Sequence, residues 1–205
     1  MSLHEIATPH GPARAEVRRV DDARAALVLG HGAGGGINAP DLVAAADAAI
    51  SEHVAVALVE QPYRVAGRRS PARAPVLDEA WIAVVTTLGD GELAGLALAV
   101  GGRSLGGRVA CRTAAQVGAI AVLCLAFPLQ PPSRGGKVAP SRLPELDAVE
   151  VPTLVVQGER DPFGIPPPGR HREVARVAGD HGLKSDPHAI GAAVGEWLAR
   201  VARLP

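Results

Sequence analysis

Aromatic side chains are scarce in this chain: two Phe, two Trp and one Tyr among 205 residues. With 47% of residues apolar, the interior must be built from Ala, Val, Leu and Ile, and the apolar content excludes a disordered chain. Charge of one sign is lacking too, since 21 basic residues face 21 acidic ones. No basic stripe interleaved with aromatics occurs, which disfavours a nucleic-acid partner. Nineteen of the basic residues are Arg, scattered among Ala and Gly, and that bias carries little chemistry. No apolar run reaches the ~18 residues needed to span a bilayer. Met1 to Gly11 shows no basic segment followed by an apolar stretch, so a cytoplasmic protein with no membrane partner is expected. Cys111 and Cys124 match no metal spacing and read as small buried hydrophobes, not as a disulfide. The seven histidines form no H-E-x-x-H or Cys/His pattern, so no metal is expected. Composition breaks nowhere for long enough to make a linker, and a single domain, 1–205, is expected.

What is present in excess is glycine, and its placement is informative. Gly101-Gly102-Arg103-Ser104-Leu105-Gly106-Gly107 follows the apolar run Leu96 to Val100 and opens a helix-like segment, Arg108 to Val117. A G-x-S-x-G pentapeptide between a buried strand and a helix is a nucleophile elbow. Gly102 and Gly106 lack Cβ atoms, so the backbone can turn tightly enough to present Ser104 at the strand end. The alternative is a serine capping an ordinary helix in a glycine-rich turn. A second run, His31-Gly32-Ala33-Gly34-Gly35-Gly36, lacks the Lys-Ser/Thr of a Walker loop and fits a dinucleotide fingerprint only weakly. It reads better as a loop that leaves a backbone N–H of Ala33 or Gly34 free for an oxyanion, with Leu105 supplying the second donor.

Apolar runs and alanine-rich stretches alternate along the chain, as in a parallel α/β sheet. Expected strands are Arg14 to Val20 at an edge, Ala25 to Gly30 as its hairpin partner, Val54 to Val59, Leu96 to Val100, Ala119 to Leu125, Thr153 to Gln157 and Glu173 to Val177. Expected helices are Asp41 to Ser51, Val76 to Leu88, Arg108 to Val117 and Ile190 to Val201. Gln61 to Pro75 reads as an irregular loop with Tyr63 and four arginines; Arg64, nearest the strand end, could bind an anionic part of a substrate. Phe127 to Val149 carries five prolines, a density that opposes helix, and is expected to form a short extended flap over an open cleft.

Three loops that follow apolar strands carry complementary chemistry. Ser104 is the candidate nucleophile, and Asp161, after the strand ending at Gln157, is the candidate acid, with Glu159 as its rival. His181, after Glu173 to Val177, is the candidate base. A serine hydroxyl needs a base to take its proton, an imidazole titrates near neutrality, and a carboxylate fixes the imidazole tautomer. Of the other histidines, His31 reads as an organiser of the glycine loop, His188 as solvent-facing and His171 as the start of a strand.

The stretches LVLGHGAGG, QPYRVAGRR, GGRSLGGRVA, FPLQPP, VQGERDPFG and GDHGLK resemble the small, lidless α/β-hydrolases of the dienelactone-hydrolase-like type. Within them the chain most resembles the bacterial group related to the nonspecific-lethal chromatin-complex subunit and its testis-expressed relative. The resemblance implies an α/β-hydrolase fold: a mostly parallel sheet of about seven strands, helices on both faces and no helical lid. It also implies Ser104 as nucleophile, Asp161 as acid and His181 as base, and supplies no substrate. Gly182 departs from the serine that relatives often carry. The expected activity is cleavage of a small ester or thioester through an acyl-enzyme without cofactor. The alternatives are a non-catalytic scaffold that keeps the fold, and a glycine-rich nucleotide binder.

Overall fold

A computed structural model describes residues 1–133 and 139–202. The alternating pattern builds an eight-stranded sheet in the order β1-β2-β4-β3-β5-β6-β7-β8. Its strands are β1 (Ser2–Ile6), β2 (Ala13–Arg18), β3 (Ala25–Gly30), β4 (Val54–Glu60), β5 (Leu98–Arg103), β6 (Ala121–Leu125), β7 (Thr153–Gly158) and β8 (Arg172–Val177). From β4 to β8 across the sheet every pairing is parallel, while β1 with β2 and β2 with β4 are antiparallel.

Alternate residues of the central strands feed two cores. Ala26 and Val28 of β3, with Ala55, Ala57 and Val59 of β4, pack on one face under the helices α3 (Ala74–Asp90), α4 (Leu105–Thr113) and α5 (Leu143–Asp147). Leu27 and Leu29 of β3, with Val54, Val56 and Leu58, pack on the other face under α1 (Pro40–Ser51) and α6 (Pro187–Val201). Strands buried on both faces are continuous apolar runs, which is why they were readable. Trp81 of α3 and Trp197 of α6 are each 1% exposed and lie on opposite faces, so the two tryptophans anchor one layer apiece; truncating either to Ala would cost ~3–5 kcal/mol. Proline stands in the first turn of α1, α3 and α6, where its missing N–H would have no partner in any case. Asp186 caps α6 by accepting the Ala189 N–H at 2.9 Å.

Several expectations are corrected. Ala25 to Gly30 is not the hairpin partner of Ala13–Arg18: β2 pairs antiparallel with β4, and β4 lies between β2 and β3. The Asp21-Asp22 turn, with Asp22 at φ 53°, reverses the chain as a hairpin would. Whether the next strand docks beside its predecessor or one place further is decided by sheet packing, not by the turn. The edge is β1, which was missed because it buries only Ile6 and its other residues are half-buried or exposed. With it the sheet has eight strands, one more than the about seven expected, and is mostly parallel with helices on both faces as expected. A four-residue helix, α2 (Pro62–Val65), stands within the stretch expected to be irregular. Helix α4 starts at Leu105, directly after the elbow, and not at Arg108. In the proline-rich segment, α5 forms with Pro144 in its first turn, so proline density there did not forbid a helix. Residues 128–133 and 139–142 are without helix or strand, and the rest of the expected flap, 134–138, lies outside the described residues.

The elbow depends on glycine at defined points. A Cβ on Gly106 would overlap the Gly30 carbonyl and lie 3.0 Å from the His31 carbonyl oxygen, whereas a Cβ on Gly35 would meet nothing within 4 Å. Gly106→Ala is therefore expected to lose about 3 kcal/mol or more of stability in urea denaturation, while Gly35→Ala stays level or gains a few tenths of a kcal/mol.

Candidate active site

At the end of β5 the backbone of Ser104 adopts φ 50°, ψ −103°, a conformation that costs an L-residue roughly 1–3 kcal/mol. The surroundings enforce it. The Ser104 N–H donates to the Leu125 carbonyl at the end of β6 (2.8 Å). A Cβ on Gly102 would overlap the Gly30 carbonyl oxygen and lie 2.8 Å from the Gly106 carbonyl carbon. Strand β5 and helix α4 thus press against the end of β3 with no side chain between them, and Ser104 stands half-buried at the vertex.

The three loops that carry the candidate residues converge on it. His181 Nε2 lies 3.0 Å from Ser104 Oγ, and its Nδ1 lies 2.8 Å from Asp161 Oδ2. An ionised carboxylate can only accept, so the Nδ1 position carries the proton and Nε2 is left to accept from the serine hydroxyl. The Asp161 side chain is fully enclosed. Its Oδ1 accepts the Phe163 N–H at 2.8 Å, and its Oδ2 also accepts from Gln157 Nε2 at 2.7 Å. The Phe163 ring packs on His181 with centroids 4.4 Å apart. Glu159, the rival acid, is exposed; the site holds Asp161 beside the imidazole instead.

The glycine loop after β3 folds into a turn closed by Gly35 N–H to the Gly32 carbonyl (3.2 Å), with Ala33 and Gly34 at its centre. Tyr63 of α2 holds this loop by donating its hydroxyl to the Ala33 carbonyl at 3.0 Å. Leu105 is the first residue of α4, so its N–H has no partner inside the helix. His31 sits beneath the loop, 2% exposed. Its Nδ1 lies 2.8 Å from the Gly32 carbonyl and its Nε2 accepts the Gln61 N–H at 3.1 Å. Burial pushes its pKa down from the usual 6.5, the Gly32 carbonyl opposing the shift. His31 is thus a neutral pin between the ends of β3 and β4. His188 is exposed, and His171 stands just before β8. Arg64, in α2, is half-buried; its Nε is enclosed and, among the described residues, has no hydrogen-bond partner.

Three residues not foreseen from the sequence complete the arrangement. Gln157, fully buried near the end of β7, accepts the Phe127 N–H (2.9 Å), and the two hydrogens of its Nε2 are shared among the Phe127 and Gly164 carbonyls (3.1 and 3.0 Å) and Asp161. A glutamine next to the end of a strand buried along its whole length was the available signal. Arg103 and Asp41 form an ion pair at 3.0 Å, and Arg103 Nη2 donates to the His181 carbonyl at 3.0 Å. Nothing local in sequence links positions 41, 103 and 181.

A family model described as Alpha/beta hydrolase domain matches residues 23–189. No curated protein matches the chain. Among solved structures, a serine hydrolase without lid from Xanthomonas campestris superposes with TM-score 0.79 at 17% identity, covering 100% of this chain and 96% of that one. Est1E from Butyrivibrio proteoclasticus gives 0.78 at 13% identity, with 98% of each chain covered. A dienelactone hydrolase from Anabaena variabilis gives 0.73 at 15% identity, covering 98% of this chain and 97% of that one. At these identities the likeness is one of fold.

Two stability measurements check the local account. Gln157→Leu leaves Asp161 and the Phe127 backbone short of buried partners, and is expected to lower unfolding free energy by about 2–4 kcal/mol. Because the folded pKa of His31 lies below its unfolded value, its contribution is complete above pH ~6.5 and is lost as pH falls toward the folded pKa, at up to ~1.4 kcal/mol per pH unit. Urea titrations between pH 7.5 and 5.5, a range of about two units around the histidine reference value, should show a shallower slope in His31→Asn.

Proposed function

The chain belongs to the alpha/beta hydrolase family, and on that footing we propose that it is a serine hydrolase cleaving a small ester or thioester through an acyl-enzyme. The observation that carries the reading is the 3.0 Å approach of His181 Nε2 to the hydroxyl of a serine held at positive φ. In the proposed reaction Ser104 Oγ attacks the acyl carbon while His181 takes the hydroxyl proton, and Asp161 stabilises the imidazolium. The N–H of Leu105, with that of Ala33 or Gly34, receives the oxyanion; such a donor is worth ~2.7–4 kcal/mol. Collapse breaks the C–O or C–S bond and His181 returns the proton to the leaving group. A water molecule deprotonated by His181 then releases the acid and regenerates Ser104. No step requires a metal or organic cofactor, and lactone opening uses the same steps.

Arg64 supports an anionic group on the substrate, acyl-CoA included, because its Nε is enclosed and, among the described residues, has no hydrogen-bond partner. A cytoplasmic setting is supported by Cys111 and Cys124, buried free thiols whose sulfurs lie 3.5 Å apart without a bond. The finer kinship with the nonspecific-lethal subunit group rests on the motif stretches LVLGHGAGG, GGRSLGGRVA and GDHGLK. That kinship keeps a scaffold role as the second reading, and the Ser104 to His181 contact weighs against it, since a scaffold has no need to hold the pair at 3.0 Å.

A fluorophosphonate probe followed by intact mass tests the proposal. Wild type is expected to take up one equivalent, and Ser104→Ala none. Turnover of the best ester in a panel should fall roughly 10⁶-fold in Ser104→Ala or His181→Ala. Arg64→Gln should raise KM for esters with an anionic acyl group about tenfold. Folded wild type that takes up no probe would move the weight to the scaffold.

A further inference from the structure

The base is held at its ring by two contacts, the Asp161 carboxylate at 2.8 Å and the Phe163 ring at 4.4 Å. Neither fixes the backbone from which the ring hangs. His181 lies in the irregular loop between β8 and α6, where Gly179 and Leu183 adopt positive φ (124° and 47°). Among the described residues, the hydrogen bond recorded to the His181 backbone comes from Arg103, whose Nη2 donates to its carbonyl at 3.0 Å. Arg103 is the residue immediately before Ser104 and the last of β5. We propose that Arg103, clamped by Asp41, is a positioning residue that ties the backbone of the base to the chain of the nucleophile. This rests on the serine-hydrolase reading of the site.

Three observations support the clamp. First, the contact spans the two reacting partners directly: Arg103 is continuous with Ser104 in the chain, and its guanidinium holds the carbonyl of His181 itself, while the other ties of that loop fall on its neighbours Gly179, Asp180, Gly182 and Leu183. Second, the guanidinium is itself fixed. Its Nε pairs at 3.0 Å with Asp41 Oδ2, and the Asp41 side chain is fully buried. Asp41 Oδ1 accepts the Leu42 N–H at 3.0 Å, which seats the carboxylate at the start of α1. Burial pushes the Asp41 pKa up, and the Arg103 charge beside it opposes that shift. Third, the neighbouring loop makes room for it: a Cβ on Gly32 would come 2.7 Å from Arg103 Nη1. The same guanidinium therefore underlies the turn that presents Ala33 and Gly34.

The chemistry selects arginine. One planar guanidinium pairs through Nε with Asp41 on α1 and donates from Nη2 to His181, whereas a lysine ammonium concentrates its donors at one point and cannot hold both directions. A displacement of about 1 Å takes the His181 to Ser104 contact out of hydrogen-bond range and costs roughly 100-fold in rate.

The test compares wild type, Arg103→Lys and Asp41→Asn on p-nitrophenyl acetate and with the fluorophosphonate probe. Both variants are expected to bind one equivalent of probe at completion, with the labelling rate constant and kcat down about 10- to 100-fold and KM within about threefold. The downfield proton resonance of His181 Nδ1–H should shift or broaden. Loss of fold alone would instead reduce the number of labelled sites and leave the rate of the remainder unchanged. Full stoichiometry with an unchanged rate constant and an unchanged resonance in Arg103→Lys overturns the proposal and leaves the hydrolase reading intact. Should Arg103→Lys fail to fold, Asp41→Asn decides by the same readouts. A wild type that takes up no probe overturns both.

Discussion

The contact on which the rest depends is the meeting of three backbone segments without side chains between them: the end of β3 at Gly30, the end of β5 at Gly102 and the first turn of α4 at Gly106. Positions 102 and 106 both lie so close to the Gly30 carbonyl that a methyl group would overlap it. This close approach forces the chain to turn within one residue, and that residue, Ser104, takes the positive φ that follows. The strain is local, and the parallel sheet with its two apolar cores supplies the stability that sustains it. A looser crossing would let Ser104 relax into an ordinary helix cap.

Around this vertex the structure encloses polar groups and partners most of them, while among the described residues Asp41 Oδ2, Gln61 Oε1 and Arg64 Nε make no hydrogen bond. Asp161 is held by Gln157 and the Phe163 N–H, His31 by Gly32 and Gln61, and Asp41 by Arg103 and Leu42. Buried hydrogen bonds of this kind hold side chains far more narrowly than apolar packing does. The polar residues that the sheet buries in this region lie at strand ends or helix starts next to the vertex. Gln157 is the penultimate residue of β7, Arg103 closes β5 and Asp41 is the second residue of α1. Each gives up solvation to fix the position of a neighbouring loop.

Much of the architecture was legible because its signals are local. Continuous apolar runs mark strands buried on both faces, as in Val54–Glu60 and Thr153–Gly158, and G-x-S-x-G between a strand and a helix marks the vertex. Where burial is one-sided or slight, the signal fails. Strand β1 buries only Ile6, and Ala13–Arg18 alternates correctly yet gives no clue that its partner is β4. The short helices α2 and α5 begin at or near prolines, which read as helix-opposing until a first-turn position absorbs the missing donor.

The sequence by itself determined the periodicities, the glycines that the vertex requires and the order serine, acid, histidine on three strand-end loops, because each is written within a few neighbouring residues. It did not determine which strands lie side by side, or that residues 41, 103 and 181 would be joined by one guanidinium. Nor did it determine that Gln157, and not only Asp161, belongs to the site. Those outcomes depend on distances between segments far apart in the chain. Only the packing of helices on the twisted sheet sets such distances, and no local pattern of residue types encodes them.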